Sequence, residues 1–412
     1  MDTKSISFPN QKKRNAALRF MHLWIISYVY LFIFTSQFSP LEGIHKSGVL
    51  WLCKNVFQQK QVEYITMTGS GDTTLDYWVV LVNIGLAVVA ALIILFADKK
   101  QRTFKDLHWF TVVVARYYVA MIMLSYGFAK LHDGQFPANT IGRLEERVGD
   151  MSPMGMVWTM MGASTGYTFV SGLLEVIGGL LLLFRRTKTF GALFSMTVMI
   201  NVALLNFFYD VPVKIFSSHI VWLCLFIVGG DAMALYRFFV LQQPSQLRFQ
   251  KRIFDKKWKG ITVTGLKWCV VAFFILSSSS ALFYTPPAVP MEGAYIVDKF
   301  IINNQEIPNS DSVGWKKLLV ISPSRTKVIL NNDSIKTFQS VLDTETKTLM
   351  LRKIDHQDLY AYLHYSTQKD SIVFTGNKGI DSIKINTIRK KKEDYKLNKR
   401  GFHWVNEYPY NR

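Results

Sequence analysis

The stretch "ARYYVAMIMLSYGFAKLHDGQFP", residues 115–137, decides how the chain is read. It has the length and apolar character of a helix, yet it holds Arg116, Lys130 and the tyrosines Tyr117, Tyr118 and Tyr126. Charge within an apolar run is costly, so its meaning depends on whether the run crosses a membrane.

Half of the 412 residues are apolar. They gather in blocks of about twenty, the length that crosses a ~30 Å hydrocarbon layer at 1.5 Å per residue. Seven blocks stand out: Leu18–Phe38, Tyr77–Ala97, His108–Leu131, Gly166–Phe184, Thr189–Tyr209, Val213–Leu241 and Thr262–Tyr284. A cleaved signal peptide is the alternative for the first block. The run is long for one, and no Ala-x-Ala-like site follows "FTSQFSP".

The net charge of +19 raises the question of nucleic acid. The basic clusters are "QKKR" before the first block and "DKKQRTFK", "RRTK" and "RFQKRIFDKKWK" after the second, fourth and sixth, while the intervening loops are mixed or acidic. That alternation is the positive-inside pattern of a membrane protein. It predicts a polytopic helical bundle of about seven spans, with the N-terminus in the cytoplasm and the C-terminus outside. Nucleic acid is not the expected partner; the lipid bilayer is. Cys53, Cys224 and Cys269 form no CxxC and no paired framework.

At "YTPPAVPMEGAY" the texture changes. Pro286, Pro287 and Pro290 end the last helix and open a linker over 286–291. From 292 to 412 short runs such as "AYIVDKFII", "KKLLVIS" and "DSIVFTG" alternate with "NNQ", "NNDS" and "GNKG", which is strand and turn chemistry. The expectation is a bundle over 1–285 and an exported β-rich domain over 292–412. The aromatic tail "GFHWVNEYPYNR" is expected to dock on that domain or on the membrane rim, or to line a substrate entrance.

Ionisable residues within spans are functional candidates by default. At 100° per residue, Arg116 and Lys130 lie about 40° apart around their helix, and Tyr126 about 40° from Lys130. One face is therefore polar along its length. In "SGLLEVIGGLLLLF" Glu175 is flanked at helical spacing by Ser171, Gly172, Gly178 and Gly179. Small residues let membrane helices approach closely, so Glu175 is expected to face other helices. Counted from the inner ends of their spans, Arg116 lies about 12 Å deep and Glu175 about 15 Å, so the two are expected to pair. Such a pair either fixes helix register or serves catalysis.

A second polar group is expected to open outward: Lys130, His132, Asp133 and Gln135, then Asn201, Asn206, Asp210 and Lys214, then His219. Taken singly, His132 and His219 read as ordinary interfacial residues. No histidine pair has ligand spacing on a span, so no metal is predicted.

Three stretches, "YGFAKLHDGQFP", "SGLLEVIGGLLLLFRRTKTFGAL" and "NVALLNFFYDVPVKIFSSHIV", resemble the core of DoxX-type membrane proteins over about 109–241. The shared pattern is Y-G-x-x-K, a G-x-x-E-x-x-G helix ending in Arg, and a helix with a central Asn. That core is similar to the membrane domain of vitamin K-dependent gamma-carboxylase, where a lysine acts as base toward a reduced quinone. Lys130 matches that lysine, although "YGFAKL" has one lysine where the enzyme has two. The chain resembles a long form of the family with a C-terminal β domain.

Two readings follow from the resemblance. In the first, the chain is a quinone-linked oxidoreductase, a carboxylase-like enzyme or a subunit of one, open to the outer side of a bacterial cytoplasmic (inner) membrane, with its β domain in the periplasm. Lys130, Glu175 and Arg116 are then the catalytic set, and Tyr126, His132, Gln135, Asn201, Asn206, Asp210, Lys214 and His219 hold ligand. In the second it is a non-catalytic scaffold whose β domain binds a partner in an envelope complex and whose buried charges only hold the bundle; Lys130 taken alone reads as a lysine snorkelling to headgroups.

Overall fold

The computed structural model describes every residue except 1–10, 67–68, 99–103, 133, 248–256, 283–288, 356–357, 369–370 and 412. The chain divides into two compact units: residues 1–135 with 166–282, and residues 136–165 with 283–412. Pro286 and Pro287 of the expected linker lie outside the described residues.

The helices, in chain order, are α1 (Gln11–Thr35), α2 (Glu42–Asn55), α3 (Thr74–Ala97), α4 (Lys105–Leu131), α5 (Ile141–Leu144), α6 (Pro153–Ala163), α7 (Thr165–Leu183), α8 (Lys188–Phe208), α9 (Lys214–Gly229), α10 (Ala232–Phe239), α11 (Lys257–Leu282) and α12 (Lys396–Lys399). Among the described residues, α1, α3, α4, α7 and α8 are long and apolar enough to cross a membrane, and α9 with α10 makes a sixth if that bent pair is one span.

The count is lower than seven for two reasons. The block Val213–Leu241 is not one helix: the chain bends by 80° between α9 and α10, at Gly229, Gly230 and Asp231. Helix α11 begins with "KWKG", and its apolar stretch within the described residues runs only from Gly260 to Phe273. The last two residues of the seventh block lie outside the described residues.

The bundle core is apolar contact among α1, α4, α7, α8 and α9, with Val29, Ala115, Val119, Leu124, Leu182, Ala192, Ile220 and Leu223 all buried. Helix α2 lies in what the sequence presents as an outer loop. Its 14 residues span only about 21 Å, and it packs Val49 and Cys53 against Leu75 and Val79 of α3. A capping box between Thr73 and Asp76 starts α3.

Among the described residues the second unit is built on nine antiparallel strands: β1 (Gly293–Ile302), β2 (Gln305–Ile307), β3 (Trp315–Ser322), β4 (Arg325–Leu330), β5 (Ile335–Asp343), β6 (Thr348–Lys353), β7 (Leu359–Gln368), β8 (Ser371–Lys378) and β9 (Asp381–Lys390). Each strand from β3 to β8 pairs with the next, β1 pairs with β3, and β9 returns to β1, so eight strands close into an up-and-down barrel. The short β2 extends β1 across a two-residue turn whose Asn303 and Asn304 both have positive φ, 49° and 66°. That is the hairpin chemistry signalled by "NNQ". Side chains fill the barrel, with Tyr295, Trp315, Leu318, Leu351, Leu363, Phe374 and Ile385 at its centre.

Residues 136–165 belong to the barrel unit, although they connect α4 to α7. Ile141 is fully buried among Ala294, Leu319, Ile329 and Tyr395. Beside it Glu145 accepts hydrogen bonds from Lys317 Nζ (2.6 Å) and the Tyr395 hydroxyl (2.5 Å). The segment read from sequence as an outer loop is thus fastened to the outer face of β3 and to the residues after β9. In the tail Phe402, Trp404 and Tyr408 are exposed, Trp404 by 90%, so they do not pack on the barrel.

Candidate functional site

Helices α4 and α7 cross where glycine faces glycine. A Cβ added to Gly127 would lie 2.8 Å from the Gly172 carbonyl oxygen, and one added to Gly172 would lie 2.7 Å from the Gly127 oxygen and 2.8 Å from Lys130 Cβ. Further along, Gly179 faces the Ala120 carbonyl and Leu124. The helices therefore run antiparallel at backbone contact, which the glycine strip beside Glu175 makes sterically accessible.

At this crossing Lys130 Nζ donates to both oxygens of Glu175, at 2.7 and 2.8 Å. Lys130 is 7% exposed and Glu175 1%. The two long side chains meet because Gly127 and Gly172 bring their backbones together. A lone charge of either sign here would be heavily penalised, and the bidentate pair compensates it.

The expected partner, Arg116, is not at Glu175. The depth count assumed flush helix ends, but α4 overhangs α7. Gly179 sits opposite Ala120, which leaves Arg116 about 12 Å along the axis from the level of Glu175. Arg116 is buried, with its guanidinium 4.8 Å from the Tyr117 ring centroid.

Tyr126 joins the pair. Its ring centroid lies 5.8 Å from Lys130 Nζ, and its hydroxyl accepts from Gln37 Nε2 at 3.1 Å. Phe38 and Phe216 surround it, with centroids at 6.0 and 6.4 Å. His219 stands deeper, stacked on Phe32 at 4.4 Å. Its Nδ1 contacts the Ile215 carbonyl (2.7 Å) and its Nε2 the Tyr28 hydroxyl (2.7 Å). A carbonyl only accepts, so Nδ1 carries a proton toward Ile215, while Nε2 shares a hydrogen bond with the Tyr28 hydroxyl.

The other expected site residues do not form one outward cluster. Asn206 is buried and donates to Ser217 (3.0 Å), tying α8 to α9. Lys214 reaches Asp210 at 2.8 Å on an exposed rim, and Asp72 caps α9 by accepting from the Lys214 and Ile215 amides. Asn201 is exposed, and His132 and Gln135 are half-buried near the end of α4. Asp133 lies outside the described residues. Asn206 and Asp210 each find a partner on α9, in Ser217 and Lys214, and Lys214 also lies 3.8 Å from Asp72, ahead of α3.

No family model and no solved structure matches the chain. It is 30% identical over 136 residues to the uncharacterized protein YwoB of Bacillus subtilis strain 168, a match covering 32% of this chain and 84% of the relative. The chain belongs to the YwoB family. Because the match takes up most of YwoB and a third of this chain, YwoB is the shorter protein.

This YwoB relative also holds functional-looking groups that sequence reasoning passed over. Lys188, counted as a loop charge in "RRTK", is buried and bonds Asp231, which also accepts from Thr189 Oγ1 (2.5 Å). Its position at the end of an apolar block concealed it. Tyr28, Gln37 and the Ser36–Tyr118 hydroxyl pair (2.7 Å) line α1 and α4. Their signal was weak, because uncharged polar residues are common near span ends. Among the described residues no group of three His, Cys, Asp or Glu side chains is placed to hold a metal ion.

Proposed function

We propose that this protein is a multi-pass protein of the bacterial cytoplasmic membrane whose helical unit binds a quinone or related isoprenoid at Lys130 and Glu175, as an oxidoreductase or carboxylase-like enzyme or a subunit of one, with its barrel exported. The observation that carries the reading is the buried Lys130–Glu175 pair beside Tyr126. Two of the three Lys130 N–H groups go to Glu175, which leaves one to donate. The Tyr126 oxygen accepts from Gln37, which leaves its own proton to donate. Two donors amid Phe38 and Phe216 suit a flat ring bearing carbonyl acceptors. A quinone would supply redox chemistry; Lys130 with Glu175 would hold or release a proton at its oxygen. The resemblance to DoxX-type cores and the alternation of basic loops support ligand and orientation. The test is lipid extraction of the purified full-length chain: a bound quinone favours the reading, and its absence from protein purified out of quinone-replete membranes counts against it.

A second reading has its own observation. On the barrel unit a groove of about 370 Å³ runs between residues 142–150 and strands β3 to β5, lined by both signs of charge. Arg147 and Lys316 share Asp333 at 2.8 and 2.7 Å there. Such a surface suits an envelope protein partner. Stable co-purification of one such protein, with no quinone, favours a scaffold.

A further inference from the structure

The 80° bend after α9 gives α10 a separate task. Asp231, at the elbow, is buried and held by Lys188 and Thr189 from the start of α8. The bend is therefore braced against a neighbouring helix. A helix that turns by 80° at the end of a span runs across the membrane normal, in the plane where headgroups meet acyl chains.

The residues of α10 fit that plane. None is fully buried. Leu235 packs on the bundle core, while Phe238 and Phe239 are exposed by 57% and 69%. Counted at 100° per residue, Arg237 lies about 160° from both Leu235 and Phe239, so the one cation points away from a broad apolar arc. An apolar arc opposite a basic residue is the pattern of a helix lying in an interface. The same end of the bundle carries the exposed Arg186 in the α7–α8 connection, two residues before Lys188.

We propose that α10 is an interfacial helix seated in the headgroup layer, where Arg237 and Arg186 recognise anionic phospholipid, and that the Lys188–Asp231 bond is the brace that sets its angle. The proposal rests on the membrane reading above. Charge complementarity chooses the occupant: a basic residue near an anionic leaflet adds a favourable term that a zwitterionic one does not supply.

The test uses full-length protein with its native cysteines replaced, reconstituted in nanodiscs, with spin labels placed in turn at Met233, Arg237 and Phe239. Failure to reconstitute would count against the membrane reading itself. In discs containing phosphatidylglycerol, the label at Phe239 should be oxygen-accessible below the headgroups and the label at Arg237 should be accessible to an aqueous relaxer. Unlabelled Arg237→Gln should bind phosphatidylglycerol roughly five-fold more weakly, with phosphatidylcholine binding unchanged. All three labels at the bilayer centre would make α10 a re-entrant limb, and all three in water would free it from the membrane. Dipolar broadening between labels would show that a second copy covers the face. Equal binding of both lipids by Arg237→Gln and the natural chain would remove the role of charge. Each of these results overturns the proposal.

Discussion

Lys130 and Glu175 form a bidentate ion pair, 2.7 and 2.8 Å, at the crossing where Gly127 and Gly172 touch backbone to backbone. The pair and the crossing depend on each other, and both can be tested separately.

Removing one partner leaves an uncompensated buried charge. Lys130→Met and Glu175→Gln should each lower stability in detergent by about 3–5 kcal/mol, and the double variant should recover most of it. Arg116→Met, by contrast, should show no coupling to Glu175. A thermal double-mutant cycle measures both, and additive losses for Lys130 with Glu175 would contradict the pairing.

A methyl group at the crossing has nowhere to go. Gly127→Ala places Cβ 2.8 Å from the Gly172 oxygen and 2.9 Å from the Val176 amide nitrogen, so the helices must part, at a cost of about 1–3 kcal/mol. Gly85 of α3 has open space around its would-be Cβ. Gly85→Ala should be neutral or stabilise by up to about 1 kcal/mol through helix propensity. Equal melting shifts for the two variants would refute the contact.

In the barrel unit, Glu145 supplies an acid-sensitive fastening. Burial raises its pKa, but the hydrogen bonds and charge of Lys317, with the Tyr395 hydroxyl, outweigh burial and hold it below the ordinary carboxylate value. A lowered folded pKa means that the unfolded chain binds the proton more readily. The contribution is therefore complete above about pH 4.3, the unfolded value, and is lost as pH falls through the folded value. Glu145→Gln should lower stability near pH 7 by about 1–3 kcal/mol and flatten the acid limb of the melting profile. An unchanged acid limb would show that the fastening does not titrate.

Orientation has a direct check. Basic loops alternate with mixed ones, so a reporter active only in the cytoplasm should be silent when fused after Arg412. Activity there would invert the orientation.

The two halves of the fold were legible to different depths. Blocks of apolar length marked α1, α3, α4, α7 and α8, because a span must satisfy its backbone within itself and so declares its length locally. The bend at Gly229–Gly230 was hidden inside one apolar run, because the residues on both sides are apolar and the brace comes from Lys188 on another helix. Turn chemistry such as Asn303–Asn304 announced a strand-rich domain. The closure of β9 on β1 and the fastening of Glu145 to Lys317, 172 residues away, depend on long-range pairing that no local pattern records. The candidate site shows the same division. The polar face of α4 and the glycine strip of α7 could be read; the axial stagger that gives Glu175 to Lys130 and not to Arg116 could not.

We propose that the Lys130–Glu175 pair holds a quinone. It is tested most directly by quantifying quinone in lipid extracts of the natural chain and of the Lys130→Met, Glu175→Gln double variant, which keeps a neutral, packed crossing. Bound quinone should come to near one per chain in the natural protein and be lost from a double variant of near-natural melting temperature. Equal quinone in both, or none in either, would contradict it and leave the pair as a fastening between helices.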